Sequence, residues 1–479
     1  MNPAHPCVRY ELRGDVAVIR LDNPPVNGLS HRVRRDIVAC FDEAQQDEAV
    51  RSILLLGEGK LFCAGADIRE FNTPAAVEAP TLRDLINRVE GSAKPVIAAL
   101  HGGAHGGGLE LAMGCHYRLA TGSTKLALPE VKLGLVPGAG GTQRLPRLIG
   151  AREALRMIVS GDPIDANRAR ELGLIDEIID GDLLSGAIAF AHRVASSPAH
   201  PLASRRVATL AAADALFDAA RADAARSGRG FRAPQECVSC IEASVALPFE
   251  QGMAFERERF NSLLADGQSK AMRHLFFAER DAAKRAPDIV ARSLDAARRI
   301  GKIGVVVEAG EGSVGNRMLT AYMREAGFLL EEGTTPRQVD RALYDFGMAM
   351  GPFASGDSVG LDSDWQARKR LADTRAAHLR PSTIADEEIV ERTIYALINE
   401  GARILDDGVA QRASDIDLIY VHGYGFPAWR GGPMFHADAT GLDRILARVR
   451  RLQEEHGERW TPAPLLERLA REGRRFNQS

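Results

Sequence analysis

Two glutamates, Glu110 and Glu130, stand twenty residues apart in surroundings suited to moving protons. Glu110 follows a run of small residues, His101-Gly102-Gly103-Ala104-His105-Gly106-Gly107-Gly108, which leaves an apolar segment and opens into a helix expected over Leu109 to Cys115. Glu130 lies in Leu128-Pro129-Glu130-Val131, just past an extended segment over Lys125 to Leu128. An earlier stretch, Phe62-Cys63-Ala64-Gly65-Ala66-Asp67, also has the small residues that let a ligand approach the backbone. Amides exposed at a helix start, backed by the positive end of the dipole, favour an oxygen that is gaining charge. A base for water, an acid for an α-carbon and donors for an oxyanion are what addition of water to a conjugated thioester requires. Taken singly, each acid also has a plain structural reading: a first-turn glutamate commonly serves the helix dipole, and Glu130 reads equally as a solvated loop residue.

The elements that must position these residues follow from periodicity. From Tyr10 to about Ala195 strands and helices alternate: a strand at Val16 to Leu21, a helix at His31 to Asp47, and strands at Ser52 to Leu56 and Pro95 to Leu100. Such alternation indicates an α/β unit with a mostly parallel sheet. From Pro201 to about Arg299 the pattern turns helical and rich in Ala and Arg, as a connector would be. The remainder reads as an imperfect repeat. A shift of 75 sets Arg317 on Arg392, Glu325 on Glu400, Leu330 on Leu405, Asp340 on Asp415 and Leu343 on Leu418. After a further slip, Gly351-Pro352 meets Gly432-Pro433 and Gly360-Leu361-Asp362 meets Gly441-Leu442-Asp443.

Bulk properties bound the partners. At 479 residues, with 45% hydrophobic and 26% charged residues, the chain should divide into two to four folded domains. A net charge of -3 gives no electrostatic reason to expect nucleic acid or an anionic membrane. No stretch reaches the roughly 18 apolar residues of a bilayer span, and Met1 to Arg13 lacks the build of a secretory signal. The end, Asn477-Gln478-Ser479, is not a peroxisomal address, so a cytoplasmic protein is expected. Six scattered cysteines argue against a disulfide framework. Cys237 and Cys240, a lone C-x-x-C in helical sequence, are read as buried helix residues, and no metal site is expected.

Adding Asn23-Pro24-Pro25-Val26-Asn27, Pro137-Gly138-Ala139-Gly140-Gly141-Thr142-Gln143-Arg144, Ser160-Gly161-Asp162 and Leu172-Gly173-Leu174-Ile175-Asp176 to the loops above, the segment closely resembles the enoyl-CoA hydratase/isomerase (crotonase) superfamily. The resemblance implies a β/α spiral domain, an oxyanion hole from the backbone amides of Ala66 and Gly107, and Glu110 and Glu130 as the catalytic acids. By that match Glu110 polarises water and Glu130 exchanges the α-carbon proton, with no cofactor. Ala64, Gly65, Asp67, Ile68, Gly106, Gly108, Pro137 and Gly138 are expected around the enoyl-CoA substrate. His105 stands where relatives usually carry an apolar residue; it is read as a packed loop histidine or as a modifier of the acyl pocket.

Val305-Val306-Val307 followed by Gly310-Glu311-Gly312-Ser313-Val314-Gly315 has the outline of a dinucleotide fingerprint. Against that, Asn316 to Gly333 is one helical pattern, which places Glu331 at a helix end where a second strand is needed. The region resembles instead the all-α carboxy-terminal domain of 3-hydroxyacyl-CoA dehydrogenases, present twice, as in fused hydratase/dehydrogenase proteins of multifunctional enzyme type 1. Asn316 matches a family active-site asparagine, read here as vestigial, and His422 and His436 are read as structural. Between Ala282-Ala283-Lys284-Arg285-Ala286-Pro287 and Arg292 a whole NAD-binding domain of roughly 100 residues or more is missing, and a second shortening is suspected at Ala377 to Ser382. The expected division is a crotonase domain over 1–195, a helical connector over 196–295, and helical modules over 296–378 and 379–479 that could support self-association. The expected activity is enoyl-CoA hydration in fatty-acid β-oxidation, possible enoyl-CoA isomerisation, and no NAD-dependent step. Two alternatives stand: a bifunctional enzyme completed by another chain, and a non-catalytic remnant of the fusion.

Overall fold

A computed structural model describes residues 7–208, 213–282, 288–308, 313–359 and 384–477. Gly310-Glu311-Gly312, Gly360-Leu361-Asp362, Ala377 to Ser382, Ala283 to Pro287 and the last two residues lie outside the described residues. The chain folds as two units, Met1–Ser269 and Lys270–Ser479.

The first unit is built on a six-stranded sheet, β1 (Val8–Arg13), β2 (Val16–Leu21), β3 (Ser52–Gly57), β4 (Val96–Leu100), β6 (Tyr117–Ala120) and β9 (Glu177–Ile178), hydrogen-bonded in that order. Only the β1/β2 pair is antiparallel; the remaining pairs are parallel. Every residue of β3 and β4 is buried, as expected for parallel strands covered on both faces. Alternation divides their side chains between two layers. Ile53, Leu55, Val96 and Ala98 pack with Val33, Ile37 and Phe41 of the His31–Gln46 helix. Leu54, Leu56, Ile97 and Ala99 pack with Ala187, Phe190 and Ala191 of the Leu183–Val194 helix. The carboxy ends of β3 and β4 therefore open on the same edge, where α/β sheets hold their ligands.

A second sheet is formed by β5 (Gly103–His105), β7 (Lys125–Ala127) and β8 (Ile164–Asp165), with Ala104 of β5 bridged to Cys63 beyond the end of β3. The glycine run is thus not wholly loop: residues 103–105 pair with β7, and the helix begins at Gly107, two residues before its expected start. Gly106, at φ 51°, makes the reversal that allows both. The helices Ala233–Ala246 and Phe249–Ala265, which the sequence suggests as connector, contribute Cys237, Val238, Cys240, Ile241 and Leu263 to the core of this unit.

In the second unit the repeat is visible as reciprocal pairing. The Val314–Glu331 and Asp386–Asp406 helices pack together, and Arg317 Nε donates to Glu400 while its terminal nitrogens reach Asp407 at 3.0 Å. Conversely, Arg392 Nε donates to Glu325 at 2.7 Å and its terminal nitrogens reach Glu332 at 2.6 and 2.8 Å. Each copy's arginine thus meets the other copy's acids at positions related by the 75-residue shift. Beyond those helices the register needs correction. The Pro336–Phe346 helix corresponds to Ala413–Gly423, a shift of 77, because the turn ahead of the second is two residues longer. Asp340 accepts from the amides of Phe353 and Ala354, and Asp417 from those of Met434 and Phe435, so Asp340 matches Asp417 rather than Asp415, and Leu343 matches Tyr420 rather than Leu418.

The two pairings differ in burial. Arg392 is fully buried, whereas Arg317 keeps 21% of its side-chain exposure. Arg392→Leu leaves buried Glu325 with only the longer contact to Arg459, 3.7 Å away, and is expected to cost about 3–5 kcal/mol, while Arg317→Leu should cost about 1 kcal/mol or less. Among the described residues the tryptophans, Trp429 and Trp460, fall in the second unit, so urea unfolding followed by tryptophan fluorescence checks this; equal losses for the two variants would refute it.

Candidate active site

The Phe62 to Asp67 stretch is pinned from two sides. Asn27, in the left-handed region at φ 52°, donates through its side-chain amide to the carbonyls of Glu58, Leu61 and Phe62. This is the structural use of the Asn23 to Asn27 motif. Leu29 N donates to Gly65 O, Ala64 N to Val26 O, and His105 N to Cys63 O. The stretch is thereby laid against β5 and the head of the Gly107–Gly114 helix. Gly65, at φ 110°, must be glycine twice over: a Cβ there would sit 3.2 Å from Gly107 N and 3.0 Å from His105 O. A Cβ on Gly107 would lie 3.1 Å from Ala66 N. The amides of Ala66 and Gly107 are therefore neighbours, and neither donates a hydrogen bond to another described residue. Gly107 is the first residue of its helix, so the dipole adds to its donor strength.

Beside these amides stand the two acids. Glu110 is buried in the first turn, and its Oε1 accepts from Ala139 N and Gly141 N, both at 2.8 Å. Glu130 opens the turn Glu130–Leu133, closed by Gly134 at φ 68°. It is half-buried rather than a solvated loop residue, and its Oε2 is buried without a hydrogen-bond partner among the described residues. The Glu130 Oε1 lies against Gly106, where a Cβ would approach it to 2.9 Å. Burial first, and then the charge of Glu256, push the Glu110 carboxyl up to about 7, against the opposing amides of Ala139 and Gly141 and the charge of Arg144. Glu130 is raised well above the usual carboxylate range, by burial and then by the charge of Glu110.

Glu256 has no place in the motifs read from sequence. It comes from the Phe249–Ala265 helix, fully buried, and its carboxylate accepts from Gly140 N at 2.7 Å and from Thr142 N and Oγ1 at 3.0 and 2.6 Å. The signal was present: Phe249, Met253, Glu256, Phe260 and Leu263 form one helical stripe, in which a single acid interrupts large apolar side chains. Arg144, also fully buried, donates to Glu90 at 2.7 Å and to the carbonyl of Ala139.

The other expected site residues divide by what they touch. A Cβ on Gly138 would meet the Phe260 ring at 2.6 Å, and one on Gly141 would meet Pro137 at 2.7 Å and Glu110 Oε1 at 2.9 Å. Gly108 packs on Cys63, where a Cβ would come within 2.7 Å, so its smallness serves the loop contact. Asp67 caps the short turn Ile68–Glu70 by accepting from Arg69 N. Ala64 and Ile68 are half-buried on the same stretch. His105 lies on β5, not in a loop; its ring folds back over Gly103, Nε2 has no partner among the described residues, and burial holds it below its usual range.

Cys237 and Cys240 are buried in their helix, with both thiols pushed up by burial. Among the described residues no group of three or more His, Cys, Asp or Glu side chains could hold a metal ion. In the second unit Asn316 Oδ1 accepts from the Tyr424 hydroxyl at 3.3 Å. His422 meets Glu279 at 3.1 Å, and His436 is half-buried against Phe346 and Phe426 and pushed down to about 4, chiefly by desolvation.

Enoyl-CoA hydratase/isomerase matches residues 11–227, and the 3-hydroxyacyl-CoA dehydrogenase C-terminal domain matches twice, at 312–387 and 389–478. A peroxisomal bifunctional enzyme of Danio rerio is 30% identical over 97% of this chain and 97% of its own length. A fatty acid oxidation complex subunit alpha of Shewanella sp. (strain MR-7) is 24% identical over 96% and 98%. A solved enoyl-CoA hydratase subunit I from Geobacillus kaustophilus HTA426 is 30% identical, covers 59% of this chain and 96% of its own, and superposes with a TM-score of 0.38. Carrying both matched regions on one chain, and aligned with such a relative along nearly its whole length, the protein belongs to the enoyl-CoA hydratase/isomerase family in its fusion with 3-hydroxyacyl-CoA dehydrogenase C-terminal domains.

Proposed function

We propose that the chain hydrates 2-trans-enoyl-CoA to 3-hydroxyacyl-CoA by syn addition, as a step of fatty-acid β-oxidation. The observation that carries this reading is the meeting of the unpaired Ala66 and Gly107 amides with Glu110 and Glu130 at one edge of the sheet. The two amides hold the thioester oxygen as it takes on enolate charge. Glu110 accepts a proton from water as its oxygen bonds the β-carbon, and Glu130 gives its own proton to the α-carbon. One water is consumed, and passage of the proton from Glu110 to Glu130 restores the pair. The division of labour is supported by their surroundings: burial raises the proton affinity of both carboxyls, and the charge of an ionised Glu110 raises that of Glu130 further, favouring a protonated Glu130 beside it. The same carboxylates could shuttle a proton between carbons, giving enoyl-CoA isomerisation as a lesser activity.

Dehydrogenation is proposed to be lost. The described residues near Asn316 do not fit a dinucleotide site, because Val314–Glu331 is a single helix and Glu331 ends it rather than following a second strand. Further support is the 704-position alignment with the Danio rerio relative, far longer than the 479 residues of this chain. We further propose the limits 1–195, 196–295, 296–378 and 379–479 for the hydratase domain, its helical segment and the two modules. Self-association through the modules is proposed on the exposed Tyr344 and Met350, and sedimentation tests it. No helix among the described residues is long and apolar enough to cross a membrane; a cytoplasmic location is proposed and is checked by cell fractionation.

The primary test is loss of enoyl absorbance with crotonyl-CoA. Glu110→Gln and Glu130→Gln should each lower kcat by roughly 100- to 10,000-fold, and added NAD should yield no NADH from the 3-hydroxyacyl product. Activity unaffected by both substitutions would remove the mechanism. Because Glu110 must be ionised to act as base, kcat/KM should rise with pH through about 7; a flat acid limb would contradict that role. The same shift bears on stability. A carboxyl whose folded value exceeds the ordinary 4.5 loses stability as pH rises through about 7, where burial opposes its charge. Glu110→Gln should therefore raise Tm relative to wild type more at alkaline than at acid pH, as read by paired thermal melts.

A further inference from the structure

The peptide from Ala139 to Thr142 is held between two buried carboxylates. Its successive amides alternate: Ala139 N and Gly141 N donate to Glu110, while Gly140 N and Thr142 N donate to Glu256. Gly140, at φ 105°, supplies the turn that throws neighbouring amides to opposite sides; a Cβ there would come within 2.1 Å of the Arg144 guanidinium. The Thr142 hydroxyl adds a third bond to Glu256 at 2.6 Å. On its far side Glu256 faces Arg83, 3.7 Å away, which donates to the Gly138 carbonyl at 2.9 Å and to the Met253 carbonyl at 3.3 Å. Every group in this cluster is tied to a stretch of backbone that also touches Glu110.

We propose that Glu256 is a positioning residue for the hydration step: gripping the Gly140 and Thr142 amides from behind, it fixes the aim of the Ala139 and Gly141 amides and hence the orientation of the Glu110 carboxylate. The inference rests on the hydratase reading of Glu110. Glu256 does not touch the reacting atoms in this scheme; it acts through two peptide groups. A carboxylate suits the task because all three donors point at it and it accepts without donating. Gln in its place would turn an amide N–H toward one of those donors, and Asp would fall short by one methylene. Glu256 also acts by charge. The groups facing the Glu110–Glu256 pair are Glu130 from its turn, Arg83 from the Leu82–Glu90 helix, Arg144 from the Gly141–Ile149 helix and Cys240 from the Ala233–Ala246 helix. Among them Glu256 is the neighbour that most raises the proton affinity of Glu110.

The test uses the full chain with crotonyl-CoA, comparing wild type with Glu256→Gln, Glu256→Asp and Thr142→Val. Misaligned by a fraction of an ångström, Glu256→Gln should lose roughly 10- to 100-fold in kcat with little change in KM. Its acid limb of kcat/KM should move to lower pH, since removing a negative neighbour eases ionisation of Glu110. Glu256→Asp should recover part of kcat, and Thr142→Val should fall between wild type and Glu256→Gln. A variant with lowered Tm but unchanged kcat and acid limb would make Glu256 merely structural and overturn the proposal. Should Glu256→Gln not fold, Thr142→Val carries the test, and unchanged kcat and acid limb there overturn it. A wild type that leaves crotonyl-CoA untouched would defeat the hydratase reading itself. The coupling is then read from carbon-13 NMR titration of Glu110, assigned with Glu110→Gln; identical midpoints in wild type and Glu256→Gln would overturn it.

Discussion

Two carboxylates share one short peptide, and much of the first unit is arranged to make that arrangement tolerable. Glu110 and Glu256 are both sealed from solvent, and burial raises the proton affinity of each. A lone ion would not persist there, because desolvation of an unpaired charge exceeds what a folded chain has to spare. What offsets it is a set of backbone donors, two amides for Glu110 and two amides with a hydroxyl for Glu256, completed by Arg83 on the outer side. The glycines of the Pro137 to Thr142 segment follow from this demand for closely packed amides.

The sheet supplies the frame for that demand. β3 and β4, buried along their whole length, cannot shift register without exposing one of two apolar layers. Their ends therefore fix where the Phe62 to Asp67 stretch and the Gly107–Gly114 helix begin. Precision at Ala66 and Gly107 is inherited from packing many residues away, and Asn27 and Gly65 transmit it by hydrogen bonds and by the absence of a side chain.

Much of the site was legible in the sequence because its parts are contiguous. The small-residue loops, Glu110 and Glu130 each announce themselves within about six residues, and strand ends at Val16–Leu21 and Ser52–Gly57 match the apolar runs. Two things escaped. The helix at Gly107 begins earlier than propensity suggests, since glycines are poor helix formers and only the pairing of residues 103–105 with β7 sets its start. Glu256 lies 146 residues beyond Glu110, and nothing local distinguishes a buried acid from one on a solvated face except its place in an apolar stripe. The repeat was readable along its first helix, where side chains pair across copies, and drifted by two residues after a turn, where insertions are tolerated.

The crossed pairing of Arg317 with Glu400 and Asp407, and of Arg392 with Glu325 and Glu332, has the form of a two-fold contact within one chain. In a true homodimer such a contact is made twice and identically, so any change in one residue alters both sites at once. Fusion removes that tie. Each clasp can take up its own environment, and the two have done so, one sealed in the interior and the other left partly wet. Tandem copies thus gain a freedom that symmetric partners lack: one half can keep the joint while the other changes.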